Sequence, residues 1–203
     1  MRISGSHRHP VVIDLEANER RLLTGLFTDT IELLGGAPAG AANAEIGDTT
    51  DITGEATEGL GAMFERMFTM GPQTPPEDPA LARLLPSLDR EDPERSAEFR
   101  RYTEPELRES KLSNLRRALL DLDRSGRIDL DREGARAWMI AVGDVRLVLA
   151  ARLGLQTEAD VQAMDTGFEE LSEADQMHIS VYDFLSWMQE RIVDELMDLD
   201  GLN

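Results

Sequence analysis

The chain has 203 residues, 41% of them hydrophobic, no cysteine, and a formal charge of −19 at pH 7. The missing cysteines exclude disulfides, thiol switches and thiolate-ligated zinc, and no run approaches the ~18 consecutive apolar residues of a membrane span. The length suits one domain over 1–203, large enough to bury roughly 70% of its unfolded surface without covalent staples.

From the N-terminus, MRISGSHRHP lacks the apolar core of a signal peptide, so the expected location is cytoplasmic. Val11 to Leu15 alternates and predicts a short strand. Leu23, Leu26, Phe27, Ile31 and Leu34 recur at helical spacing and predict a helix over Ala17–Leu34, ended by Gly35-Gly36. Residues 36–57 are rich in Gly, Ala and Thr without periodicity and read as a mobile internal linker. A short helix is expected over Glu58–Met70, and another after Asp78, with Pro79 in its first turn.

Asp92 caps the next predicted helix, beginning at Pro93; Thr103-Glu-Pro-Glu106 reads as a capping box that starts a separate one. Leu112, Leu115, Leu119 and Leu122 form its buried stripe. Arg127–Asp131 predicts a second strand, and Asp131 caps a helix to Leu153 that buries Trp138, Val142, Val145 and Leu149. Thr157 opens a further helical segment. Met177–Val181 looks extended, and Ser180-Val-Tyr-Asp183 reads as the cap of a last helix, to about Leu199, burying Val181, Phe184, Leu185, Met188 and Ile192. Ile13-Asp-Leu-Glu16 and Ile128-Asp-Leu-Asp131 echo one another, each a strand feeding a helix. The expected fold is therefore mainly α, a helical bundle with a small β element of two or three strands.

The charge is uneven: residues 1–89 carry −8, 90–152 carry +1 and 153–203 carry −12. Phosphate neutralisation drives nucleic-acid affinity, so this chain is a poor DNA binder on its own, and its acidic last quarter suits a basic protein partner or simply a solvated surface. The densest basic run includes Arg101, Arg108 and Lys111, candidates for docking an acidic partner or DNA. Glu98, Glu104, Glu106 and Glu109 interleave with it, so the competing expectation is i, i+4 pairing on the helix surface. Asp144 and Arg146 interrupt an apolar helix and must find partners if buried.

Asp121 to Glu133 resembles an EF-hand calcium loop. Asp121, Asp123, Ser125 and Asp129 fall at ligand positions, Gly126 at the turn and Ile128 at the strand position. Arg132 stands where a bidentate carboxylate should close the cage, and three arginines in the loop repel a cation. The competing reading is a plain turn between helix and strand. Calcium is thus the alternative cofactor; otherwise none is expected. His7, His9 and His178 lack carboxylate or thiolate neighbours at ligand spacing. No nucleophile elbow and no phosphate loop occur, so the residues give no support to an enzyme.

The blocks Asp78–Pro86, Asp92–Arg101, Leu107–Lys111, Arg146–Gly154 and Tyr182–Glu190 resemble an actinobacterial domain-of-unknown-function family, encoded beside the Clp protease adaptor ClpS, one branch of which is the AosR-like oxidative-stress transcription regulators. The resemblance implies a non-enzymatic regulator working through protein contacts, with the transcription machinery as a partner, or alternatively an accessory of Clp proteolysis. Redox sensing by thiols cannot be carried over to a chain without cysteine. The oligomeric state is left open, a homodimer included.

Overall fold

The computed structural model describes residues 1–5, 11–36, 71–72, 74–87, 92–155, 157, 160 and 172–199. The predicted helix over Glu58–Met70, the linker beyond Gly36, His7 and His9 lie outside them. The described elements are β1 (Arg2–Ser4), β2 (Val11–Asp14), α1 (Ala17–Leu33), α2 (Pro79–Leu84), α3 (Pro93–Asp123), β3 (Ile128–Leu130), α4 (Arg132–Arg152) and α5 (Glu173–Leu199). The fold is mainly α with one small antiparallel sheet, as the periodicities predict.

The sheet order is β1-β2-β3. The two echoing segments meet in it: Ile13 lies opposite Ile128 and Val11 opposite Leu130. Arg2–Ser4 supplies the third strand, pairing Ile3 with Ile13. That edge strand is too short for any alternation to announce it. β2 is the central strand, and Val11, Val12 and Ile13 are all buried.

Helix starts follow local chemistry. Asp78 accepts from the backbone N–H of Ala80 and Leu81 at 2.8 and 3.2 Å, Asp92 from Arg95 at 3.0 Å and Asp131 from Gly134 at 2.6 Å. At α1, Glu19 reaches back to the Glu16 N–H at 2.8 Å. Arg152 meets the same Asp78 carboxylate at 2.8 Å, and that guanidinium holds the Asp78 carboxyl below its ordinary value.

Helix α4 is the hub, packed against α5, α3, α2 and α1, while α5 also covers β1 and β2. Leu23, Phe27, Ile31, Leu115, Trp138, Val142, Leu185, Met188 and Ile192 are sealed between these layers. Each such side chain contributes about 1.5–3 kcal/mol of transfer free energy. Phe27 meets Trp138 edge-on, centroids 5.7 Å apart at 77°.

Two helices differ from expectation. First, α3 runs unbroken through Pro105 instead of restarting there. Proline has no N–H, which orphans the Arg101 carbonyl four residues earlier. The Gly71 N–H donates to that oxygen at 3.0 Å and replaces the missing bond. A Cβ at Gly71 would come 2.8 Å from Pro105 Cγ and 2.9 Å from the Arg101 oxygen, so only glycine fits this approach. Second, α5 begins at Glu173, so Met177–Val181 is helical. Ser180 bonds back to the Gln176 carbonyl at 2.8 Å, and the cap is Ser172, whose Oγ accepts from the Asp175 N–H at 3.2 Å. Of the segment opened by Thr157, the described part is its cap, where the Thr157 N–H donates to Asp160 at 2.7 Å.

Candidate functional site

The calcium-like loop joins α3 to β3. Its first candidate ligand, Asp121, turns inward: Oδ2 accepts the indole N–H of buried Trp138 at 3.0 Å, and Asp121 is 7% exposed. A buried indole needs an acceptor, and this carboxylate supplies it. Asp123, Ser125 and Asp129 are exposed. The loop carbonyls converge on Arg20 from α1. Its Nη1 donates to the oxygens of Leu122 and Arg124 (the latter at 2.9 Å), and its Nη2 donates to Gly126 at 2.7 Å. One guanidinium thus ties the backbone of the loop to α1. Among the described residues, no three His, Asp or Glu side chains are placed to share a metal.

The basic run does not form one patch. Arg108 donates to Glu104 at 2.7 Å and to the Leu34 carbonyl at 2.6 Å, closing over the C-terminal end of α1. Lys111 pairs with Asp144 of α4 at 2.6 Å. The third candidate, Arg101, lies 6.0 Å from the Tyr102 ring centroid. The i, i+4 pairing expected from the interleaved acids is present, but its centre is buried. Glu104, 3% exposed, takes Arg108 on one oxygen and Arg100 on the other, at 2.6 Å. Arg100 reaches on to the Leu85 carbonyl at 3.1 Å and Ser87 Oγ at 2.8 Å. This cluster ties the ends of α1 and α2 to α3.

A third arrangement faces outward. Between α4 and α5, with Arg83 of α2 at one end, lies a groove of about 410 Å³ lined by Ile140, Gly143, Leu147, Tyr182 and Gln189. Ile140 and Leu147 are 40% and 39% exposed on a helix whose other face is the core. The groove wall is a polar chain. Arg146 donates to Gln189 Oε1 at 2.6 Å and to the Tyr182 hydroxyl at 3.3 Å, lies 5.1 Å over the Tyr182 ring, and Gln189 donates to the Met139 carbonyl at 3.2 Å. Gly143 permits this contact, since a Cβ there would stand 2.7 Å from Gln189 Nε2. Asp144 lines the groove beside it, with Oδ1 on Lys111 and Oδ2 buried without a hydrogen-bond partner.

Burial pushes the Asp144 carboxyl up from its ordinary value, and Lys111 pulls only part of the way back. A raised carboxyl pKa contributes its stabilisation fully below the unfolded value, and that contribution is lost as pH rises through the folded value. The stability difference between wild type and Asp144→Asn is therefore expected to move against wild type as pH rises from 4. Thermal melts of both proteins at stepped pH check this; a difference moving in favour of wild type over that range would contradict it.

Apolar side chains and the hydrogen-bonded Arg146, Tyr182 and Gln189 line this groove together. The model of a family described as Domain of unknown function (DUF2017) matches residues 1–196. The chain belongs to this family. A protein of Mycobacterium leprae (strain TN) named "Putative oxidative stress regulator AosR" is 35% identical over 136 residues, covering 60% of each chain. The chain thus spans about 60% of the length of the curated relative it matches. No solved structure matches it. Among the described residues, no helix is long and apolar enough to cross a membrane.

Proposed function

We propose that this protein is a non-enzymatic regulator that acts through protein contacts, with the α4–α5 groove as its docking site. The observation that carries the proposal is the pair Ile140 and Leu147, exposed on one face of the hub helix about two turns apart. The regulatory part is supported by the name of the Mycobacterium leprae relative, an oxidative stress regulator. A partner in the transcription machinery is the reading that fits that name. A thiol switch has no residue to act through, because the chain has no cysteine.

The test is a photo-crosslinking amino acid at Leu147, with cross-linked products from the native host identified by mass spectrometry. A discrete protein product that disappears on Ile140→Glu is expected. Labelling of no discrete protein, or a product indifferent to Ile140→Glu, would remove the groove as the docking site. An RNA polymerase subunit or sigma factor in the product would support the transcription reading; a Clp component would overturn it in favour of proteolysis.

A further inference from the structure

We infer that the outward face of α5, separate from the groove, docks a basic amphipathic segment of a partner protein. The inference rests on the contact-surface reading and names the chemistry of what binds. Helix α5 packs Val181, Leu185, Met188 and Ile192 into the protein core. On the opposite side, Asp183, Trp187, Glu190, Asp194 and Met197 follow at intervals of four, three, four and three residues, which is one helical face. Trp187 and Met197 are 42% and 40% exposed there. An exposed tryptophan flanked one turn away on both sides by carboxylates is an apolar anchor point set in negative charge.

The charge selects the occupant. Helix α5 carries seven acidic side chains and one basic one, Arg191, which is held by Asp194 and Glu195 at 3.1 and 3.4 Å. A second copy would present the same acids to one another, and nucleic acid or an anionic lipid surface would be repelled. A helix with Lys or Arg beside Leu or Phe anchors answers both halves of the face: apolar area against Trp187 and Met197, cations against Asp183, Glu190 and Asp194. Such an interface associates quickly and weakens with salt.

The probe is a synthetic Leu/Lys amphipathic helical peptide, compared with a sequence-scrambled peptide of equal charge and a Leu/Glu peptide. Binding to the full chain is followed by titration calorimetry and by the emission of Trp187 in a Trp138→Phe background. The expected result is binding of the Leu/Lys helix with a blue shift, weakened about tenfold or more between 50 and 300 mM salt. Reversal of Asp183, Glu190 and Asp194 to Lys should abolish it and admit the Leu/Glu peptide. The same charge change at Glu94, Glu98 and Glu106 on α3 should leave it standing. Equal binding of the scrambled peptide, equal loss from the α3 reversal, or no binding would overturn the inference. So would sedimentation showing a dimer that Trp187→Lys dissolves, which would give the face to a second copy. A positive cross-link at Leu147 alongside any of these outcomes would leave the groove proposal intact and remove the α5 face alone.

Discussion

Glu104→Ala is expected to lower stability by about 3–5 kcal/mol, the cost of breaking a buried ion pair by removing one member. The variant leaves Arg100, 4% exposed, without its counter-charge, and takes the carboxylate from Arg108, which keeps its bond to the Leu34 carbonyl. At about 2–4 °C per kcal/mol for a protein of this size, the melting temperature should fall by roughly 10 °C. Arg100 keeps its bonds to Leu85 and Ser87, so the loss is electrostatic more than geometric. Glu104→Gln should recover part of it by retaining an acceptor. Removing the charges together, as Arg100→Met with Glu104→Leu, should cost less than Glu104→Ala alone, because desolvation is no longer suffered by a lone cation. Thermal unfolding followed by circular dichroism distinguishes these outcomes. A loss below about 1 kcal/mol for Glu104→Ala would mean that water reaches the cluster.

Arg20→Ala is the second large effect, expected at about 2 kcal/mol, since one guanidinium serves three carbonyls of the loop and part of that contact is solvent-exposed. Arg20→Lys should recover little: a single ammonium is a point charge and lacks the planar fork that spans Leu122, Arg124 and Gly126. Millimolar guanidinium should restore part of the melting temperature of Arg20→Ala, whereas calcium should leave wild type unchanged. Wild-type protein whose melting temperature rises with calcium would show that the loop takes an ion despite Arg20.

The parts of this fold legible in the sequence are those written within a few residues. The stripes through Leu23, Phe27 and Ile31, and through Trp138, Val142 and Val145, are buried as their spacing predicts. The caps Asp78, Asp92 and Asp131 are where a short acid precedes a helical run. What escaped is set by distant chain. Pro105 reads as a helix start until Gly71 arrives to satisfy Arg101. Ser180 reads as a cap until the turn before it proves helical.

The site shows the same division. Asp144 needs a partner once buried, and it finds one across helices in Lys111. Arg146 also finds neighbours across the helix interface, but they are the neutral Gln189 and Tyr182. Arg20 and Glu104 carry no local sign of their roles, because an ordinary helix-surface charge and one locked to a loop look alike in sequence. Ile140, Leu147 and Trp187 could have been found: each falls off the buried period of its own helix, and apolar residues out of phase are what an exposed contact looks like.

The pairing of Ile13 with Ile128 spans 115 residues of chain. Closing so long a loop is slow relative to winding a helix. The hairpin of β1 and β2 is marginal alone, and its free edge must wait for β3 to be synthesised. At about 5–20 residues per second that wait is roughly 6–23 s on the ribosome. During that interval the central strand offers the unpaired backbone N–H and C=O groups of its edge to a neighbouring nascent chain, so the vulnerable moment in this protein's life falls before its hub helix has left the exit tunnel.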